Sequence, residues 1–129
     1  MFKRYAAILI TDKEDKVLMG IRKDSDKYAN AGGKIEEGED HYSGAIRELY
    51  EETGLTALDI KLVRVEYVKH KKLIIYLFKA IIDPAQNTTT EHDPDDEFAI
   101  LGYFDPFDII DQLHVPIEDN ILVKYWAEN

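Results

Sequence analysis

Apolar positions along the chain follow two different periods. Arg4 to Ile10 and Lys16 to Arg22 are short apolar-rich runs separated by Thr11-Asp12-Lys13-Glu14-Asp15, a pattern that predicts a β-hairpin. Asp24 to Ala31 is polar and reads as a loop. Between Gly38 and Gly54 the spacing becomes helical: Tyr42, Ile46, Leu49 and Thr53 recur at three- and four-residue steps, and Gly54 is suited to a left-handed cap. Ile60 to Val68 and Leu73 to Ile82, rich in Val, Ile, Leu, Tyr and Phe, flank His70-Lys71-Lys72 and predict a second antiparallel pair. Asp83 to Glu97 is the one long loop, and Phe98 to Phe104 is a further strand. Asp105 as N-cap with Pro106 behind it predicts a short helix to Leu113, and Ile117, Ile121 and Tyr125 share a stripe of a second one from about Pro116 to Ala127. Strands on both sides of one long helix, then strand and helices, predict an α/β sandwich. Without repeats, low-complexity tracts or linkers, residues 1–129 read as one domain.

The polar side of the long helix changes this picture. At about 100° per residue, Glu51, Glu48 and Glu52 fall near 140°, 200° and 240° from Ile46, whereas Tyr42, Leu49 and Thr53 lie near 300–360°. Three like charges on one side repel at helix spacing, so either water screens them or a cation sits on them. Arg47, four residues before Glu51, can hold that carboxylate in one rotamer. Clustered carboxylates and carbonyls with room for water are what a hard divalent ion such as Mg²⁺, or Mn²⁺ in its place, selects.

Composition narrows the classes. The chain has 16 basic and 26 acidic side chains and a net charge of −10, which argues against nucleic acid or anionic lipid as a partner. The same charge would repel a bare nucleoside triphosphate, a second reason to expect a cation between protein and substrate. Absence of Cys excludes a disulfide framework and a thiolate zinc site. Met1-Phe2-Lys3-Arg4 and the apolar residues after it begin like a signal peptide, but Thr11-Asp12-Lys13 ends the run too early. Lys79 interrupts the longest apolar segment, Leu73 to Ile82, so no membrane span is expected and a cytoplasmic protein is the default.

Gly33, five residues, Glu39, seven residues, Arg47-Glu48-Leu49, one residue, Glu51-Glu52, one residue, Gly54-Leu55 resembles the signature of the Nudix hydrolase family at every fixed position. That resemblance implies a mixed sheet between helices, an α/β/α sandwich, and Mg²⁺-dependent hydrolysis of a phosphoanhydride in a nucleoside diphosphate linked to another group. It implies that the Gly33 carbonyl, Glu51 and Glu52 bind metal, that Glu48 binds metal or acts as base, and that Arg47 orients Glu51. Glu39 is expected to organise the loop. From the acidic end of the long loop, Glu91, Asp93, Asp95, Asp96 and Glu97, family members draw an additional carboxylate for metal or base; Glu97 is the candidate, with Asp96 the alternative. Arg22 and Lys34 are candidate phosphate contacts.

Tyr28 and Ala31 stand where the family usually shows Trp and Pro, so Tyr28 either packs the loop or stacks on a base. Glu118 and Asp119 fall near the acidic base readers of the oxidised-purine-sanitising branch, and also read as a solvated helix start. No Pro occurs between Leu55 and Pro84, unlike the ADP-ribose-cleaving branch. The expected partner is a small-molecule nucleotide and the expected reaction MutT-like, a nucleoside triphosphate cut to monophosphate and pyrophosphate. An ADP-ribose, nucleotide-sugar or RNA-cap hydrolase and a non-catalytic nucleotide sensor are the alternatives, and a homodimer is left open.

Overall fold

The computed structural model describes residues 2–129. Six strands, β1 (Lys3–Leu9), β2 (Val17–Arg22), β3 (Tyr28–Lys34), β4 (Asp59–Val68), β5 (Leu73–Ile81) and β6 (Phe98–Phe104), form one sheet in the order β4-β5-β1-β3-β2-β6. The β1–β5 pair is parallel and the other four are antiparallel, so the sheet is mixed. Helices α1 (His41–Thr53) and α2 (Ile121–Glu128) cover its opposite faces. Side chains alternate across β1: Ala6, Ile8 and Ile10 join Ala45 and Leu49 of α1, while Ala7 and Leu9 join Leu122 and Val123 of α2. A strand covered on both faces is a near-continuous apolar run, which is why Ala6 to Ile10 is apolar throughout. The α/β sandwich expected from the pattern is the observed architecture.

Four expectations are corrected. The first hairpin closes only at its turn, where Ile10 O accepts from Leu18 N at 2.9 Å and Thr11 bridges Val17. Beyond that point β3 enters between β1 and β2. The predicted loop therefore holds only to Lys27; Tyr28 to Ala31 are strand, paired with Ile21, Gly20 and Met19 on one side and Ile8 on the other. Ala, Asn and Gly have poor strand propensity, and here tertiary pairing overrides it. The segment after Asp105 is not an α-helix: Asp105 Oδ1 accepts from Phe107 N at 2.9 Å, and turns lead to a short 3₁₀ stretch at Ile110–Gln112. Likewise α2 starts only after a 3₁₀ turn at Ile117–Asp119, capped by Asn120, whose Oδ1 accepts from Val123 N at 3.0 Å.

Helix α1 has the ends its sequence specifies. Asp40 Oδ1 accepts from Ser43 N at 2.9 Å, and Gly54, at φ 74°, closes the other end onto Tyr50 O. Its buried side, however, is not the expected one. Gly44, Ala45, Leu49, Glu52 and Thr53 face inward, while Ile46 is 48% and Tyr42 40% exposed. The inward face is turned by roughly 60° toward the glutamates. One acidic residue is thereby carried into the protein.

Candidate active site

Glu52 is only 4% exposed. One of its oxygens accepts the Gly32 N–H at 2.7 Å, which ties the last turns of α1 to β3. Gly32 sits at φ 149°, and a Cβ there would collide with the carbonyl oxygen of Ala6 on the neighbouring strand. Gly33 has a different duty: a Cβ would strike the carboxylate of Glu48. The paired glycines bring the sheet backbone and two carboxylates into direct proximity.

Burial is the first cause of what happens to both acids. It raises Glu52 to about 9, against the help of the Gly32 hydrogen bond and with the charges of Glu48, Glu97 and Asp93 adding to the rise. Burial likewise raises Glu48 to about 7, with Arg47 opposing and Glu51 and Glu97 reinforcing. The two carboxylates therefore sit among others in a place that favours neutrality, unless positive charge is brought in.

Arg47 organises the rim. Its Nε donates to Glu39 at 2.9 Å, its Nη1 to Glu48 at 3.0 Å and Glu51 at 3.1 Å, and its Nη2 to Glu39 at 3.0 Å and the Lys34 carbonyl at 3.0 Å. The bond from Arg47 is the main reason Glu39 is held below the usual carboxylate range. Glu39 also accepts from Glu36 N, closing the loop before α1. Glu51 stands beside Arg47 and does not line the cavity.

The remaining wall comes from the long loop and from β2. Glu52, Asp93 and Glu97 each offer an oxygen within 4.8 Å of the others. Asp93 also accepts from Asp95 N at 2.9 Å and Glu97 N at 3.1 Å, so one side chain shapes the turn that presents its neighbour. Asp96 points elsewhere, paired with Lys23 at 2.7 Å. An all-oxygen set of this kind fits a hard divalent cation. Arg22 is held by Asp24 at 3.1 and 3.0 Å and lies 3.6 Å from Glu97. A register shift between β2 and β6 falls at Ile21/Arg22, where an irregularity can re-aim a side chain.

These groups line a cavity of about 540 Å³, within the range of small-molecule sites. Lys34, His114, Tyr5, Leu73, Ile75 and Asp119 belong to the same lining. Burial and the nearby Arg22 lower the His114 pKa, so its ring is neutral near pH 7.

Of the sequence candidates, the structure brings Arg22, Gly33, Lys34, Glu48, Glu52 and Glu97 to one cavity, with Arg47 bonded to Glu48 from behind. Tyr28 is not brought there: its ring packs edge-on against Phe104 at 4.9 Å, within the α2-side core. A strand position, rather than a loop position, fixes it to that face. Asp93 was hidden in sequence among five loop acids, and nothing in the sequence marked His114.

A mixed sheet with a carboxylate-lined cavity between its central strands and a capped helix makes this an α/β protein with a candidate divalent-cation site. The chain belongs to the NUDIX domain family, whose model matches residues 1–124. Nudix hydrolases cleave pyrophosphate bonds in nucleoside diphosphate–X substrates and generally use divalent metal ions. The fold is similar to a MutT structure from work on the Aliivibrio salmonicida and Vibrio cholerae proteins (TM-score 0.75, 20% identity, covering 100% of each chain). It is similar as well to a MutT protein from Methanosarcina mazei (TM-score 0.71, 20% identity, 98% of this chain and 94% of that one). A C. elegans Ap4A hydrolase is comparably similar (TM-score 0.71, 17% identity, 98% and 96%). No curated protein matches the chain in sequence. Among the described residues, no helix is long and apolar enough to cross a membrane.

Proposed function

We propose that the protein, acting as a single domain over residues 1–129, hydrolyses a nucleoside triphosphate to the monophosphate and pyrophosphate with Mg²⁺ as its cofactor, Mn²⁺ being able to substitute. One observation carries the reading: the buried Glu52 shares a 540 Å³ cavity with Glu48, Asp93 and Glu97, and cationic Arg22 and Lys34 line the same space. Glu52, Asp93 and Glu97, joined by Glu48, would hold the metal, with the Gly33 carbonyl at their edge. When bound, the ion neutralises phosphate oxygens and lowers the pKa of a water molecule.

The chain's own groups do the rest. Arg22 and Lys34 receive phosphate oxygens, and Arg22 is already oriented by the two bonds it donates to Asp24. Glu48, oriented by Arg47, takes the proton of the attacking water as the phosphoanhydride bond breaks and the pyrophosphate leaves. Arg47 is a positioning residue, since it fixes Glu48 and Glu51 and stands outside the cavity lining. Most of the rate enhancement comes from placement and preorganised charge. Tyr5, Leu73 and Ile75 supply an apolar surface for a nucleobase, and Asp119 a hydrogen-bond acceptor for its edge.

The test is a panel of canonical and oxidised nucleoside triphosphates, ADP-ribose, nucleotide sugars and Ap4A, each with Mg²⁺ and with release of phosphate or pyrophosphate measured. Fastest turnover on a triphosphate with pyrophosphate as product supports the proposal. Preferential cleavage of ADP-ribose or Ap4A replaces the substrate while keeping the site, and binding without cleavage of any member defeats the catalytic reading.

A further inference from the structure

The segment from Ile82 to Glu97 contains no strand or helix, yet it delivers three acids to the cavity lining, Asp93, Asp95 and Glu97, the first and last of them within reach of Glu52. A long loop of this kind would scatter them unless something held it. Three contacts dock it on the C-terminal end of α1. Gln86 clasps Thr56, accepting from its backbone N at 3.0 Å and donating to its carbonyl at 2.8 Å. Thr89 N donates to Thr53 O at 2.8 Å, and the Thr89 methyl fills the space that a Cβ on Gly54 would need. Last, the His92 ring stacks on Tyr50 with centroids 4.7 Å apart and planes 18° from parallel, and the Tyr50 hydroxyl meets Nε2 at 3.3 Å.

The third contact is the one next to the chemistry. His92 immediately precedes Asp93, and Asp93 in turn accepts the N–H groups of Asp95 and Glu97. Tyr50 stands two residues before Glu52 on the same helix. The pair thus joins the element that carries Glu52 to the loop that carries Asp93 and Glu97, next in sequence to Asp93 and two residues from Glu52. Neither ring lines the cavity, and Tyr50 is 42% exposed, so general core packing does not account for the stack.

We infer that the Tyr50–His92 stack is a positioning latch that sets Asp93 and Glu97 against Glu52, and through them the affinity of the site for a divalent cation. The inference rests on the metal role proposed above for those three carboxylates. Groups that orient metal ligands from behind typically govern affinity by about 10–100-fold, and the latch belongs to that class of effect.

The experiment measures Mn²⁺ binding by electron paramagnetic resonance, and amide hydrogen exchange in metal-free protein, for wild type, His92→Ala, Tyr50→Ala, the double variant, His92→Phe and Gln86→Ala. His92→Ala and Tyr50→Ala are each expected to weaken Mn²⁺ binding about tenfold, with the double variant no worse than either. Both should speed exchange at Glu97 N–H, whose acceptor is Asp93. His92→Phe keeps a flat ring on Tyr50 and should recover affinity to within about threefold of wild type. Gln86→Ala loosens the start of the loop and should leave affinity close to wild type.

Wild-type affinity together with unchanged Glu97 exchange in His92→Ala overturns the latch. So do equal losses in Gln86→Ala and His92→Ala, because docking of the loop in general would then set the site. Wild-type protein that binds no Mn²⁺ defeats the site reading instead, and the exchange arm still decides the latch.

Discussion

The two faces of the sheet are built from the same strands but follow different rules. On the α2 side, Ile121, Leu122 and Val123 pack on Leu9, Val17, Met19, Leu77 and Leu113. Asn120, the buried polar residue there, is satisfied by Val123 N and Val115 O. On the α1 side, Ala45 and Leu49 pack on Ile8, Leu18 and Phe78, but the same helix presses Glu52 into the protein with Glu48 beside it. One face stabilises the fold and lends apolar lining to the cavity, at Ile75, Ile121 and Leu122. The other gives up stability to hold carboxylates where water would not keep them together. Local conflict with burial rules is where function is expected to reside, and here the conflict is confined to one side of one helix.

Replacing Glu52 by Gln should separate those two roles most sharply. Gln keeps the shape and an oxygen for the Gly32 N–H but removes the charge. Turnover with Mg²⁺ is expected to fall about 10³-fold, roughly 4 kcal/mol of transition-state stabilisation. Metal-free protein at about pH 8 should at the same time melt about 3–6 °C higher, because the native state no longer has to keep a buried acid protonated at a pH where the unfolded chain would ionise it. Steady-state kinetics and thermal melts check both signs; a variant that turns over at the wild-type rate removes Glu52 from the mechanism.

Val123→Ala tests the opposite face. Val123 is fully buried in the α2-side cluster and does not line the cavity. Its truncation should cost about 2 kcal/mol, seen as a lower urea midpoint. kcat per folded molecule should stay within about twofold of wild type, since no group that orients a carboxylate moves. A large kcat loss at temperatures where the variant remains folded would show that the faces are coupled.

How much of this was readable beforehand differs between the same two regions. Strands with branched and aromatic residues, and the helix ending at Gly54, were legible because the period and the C-terminal glycine agree, whereas the Asp40 cap was not singled out among its acidic neighbours. Strand β3 was not legible, because Tyr28-Ala29-Asn30-Ala31-Gly32-Gly33-Lys34 carries almost none of the residues that mark strands, and only its neighbours impose the pairing. The glutamate spacing on α1 was visible, but a helical wheel drawn by polarity groups Ile46 with the apolar side and does not show that the helix carries Glu52 into the protein while leaving Ile46 exposed. Gly33 could be singled out from its spacing, whereas its reason, the carboxylate of Glu48 against its Cα, needed coordinates. Asp93 differed from Glu91, Asp95 and Asp96 only by where the loop backbone sends it.

Metal and pH sharpen the comparison further. Unfolded glutamates ionise at about 4.3, while Glu48 and Glu52 in the metal-free fold do so at about 7 and about 9. Between those limits the unfolded chain binds fewer protons than the native one, so these two groups make stability fall as pH rises. Asp24, Asp40 and Glu39, held below their usual values, lose their favourable contribution only in acid. A divalent cation competes with the protons on Glu48 and Glu52 and should stabilise more at higher pH. With about 10 mM Mg²⁺ and a dissociation constant near 1 mM, the gain is about 1.4 kcal/mol, or about 5 °C. Melts at about pH 6 and pH 8.5, with and without Mg²⁺, read the effect; a shift that shrinks as pH rises contradicts the carboxylate site.

The smallest expected effect on turnover belongs to Tyr28, which the sequence left between packing the loop and stacking on a base, and whose ring packs in the core of the α2 side. If its ring only packs against Phe104, Tyr28→Phe preserves the edge-on contact and leaves KM and kcat within about twofold. Tyr28→Ala should then cost about 2–4 kcal/mol of stability while KM for the best nucleotide stays put. A base-stacking or base-reading role predicts the reverse order, with KM rising in the alanine variant by more than the loss of stability accounts for. The pair of substitutions thus asks whether the α2-side core takes any part in recognition through Tyr28, whose ring is turned to Phe104 while its neighbours Ala29 and His114 line the cavity.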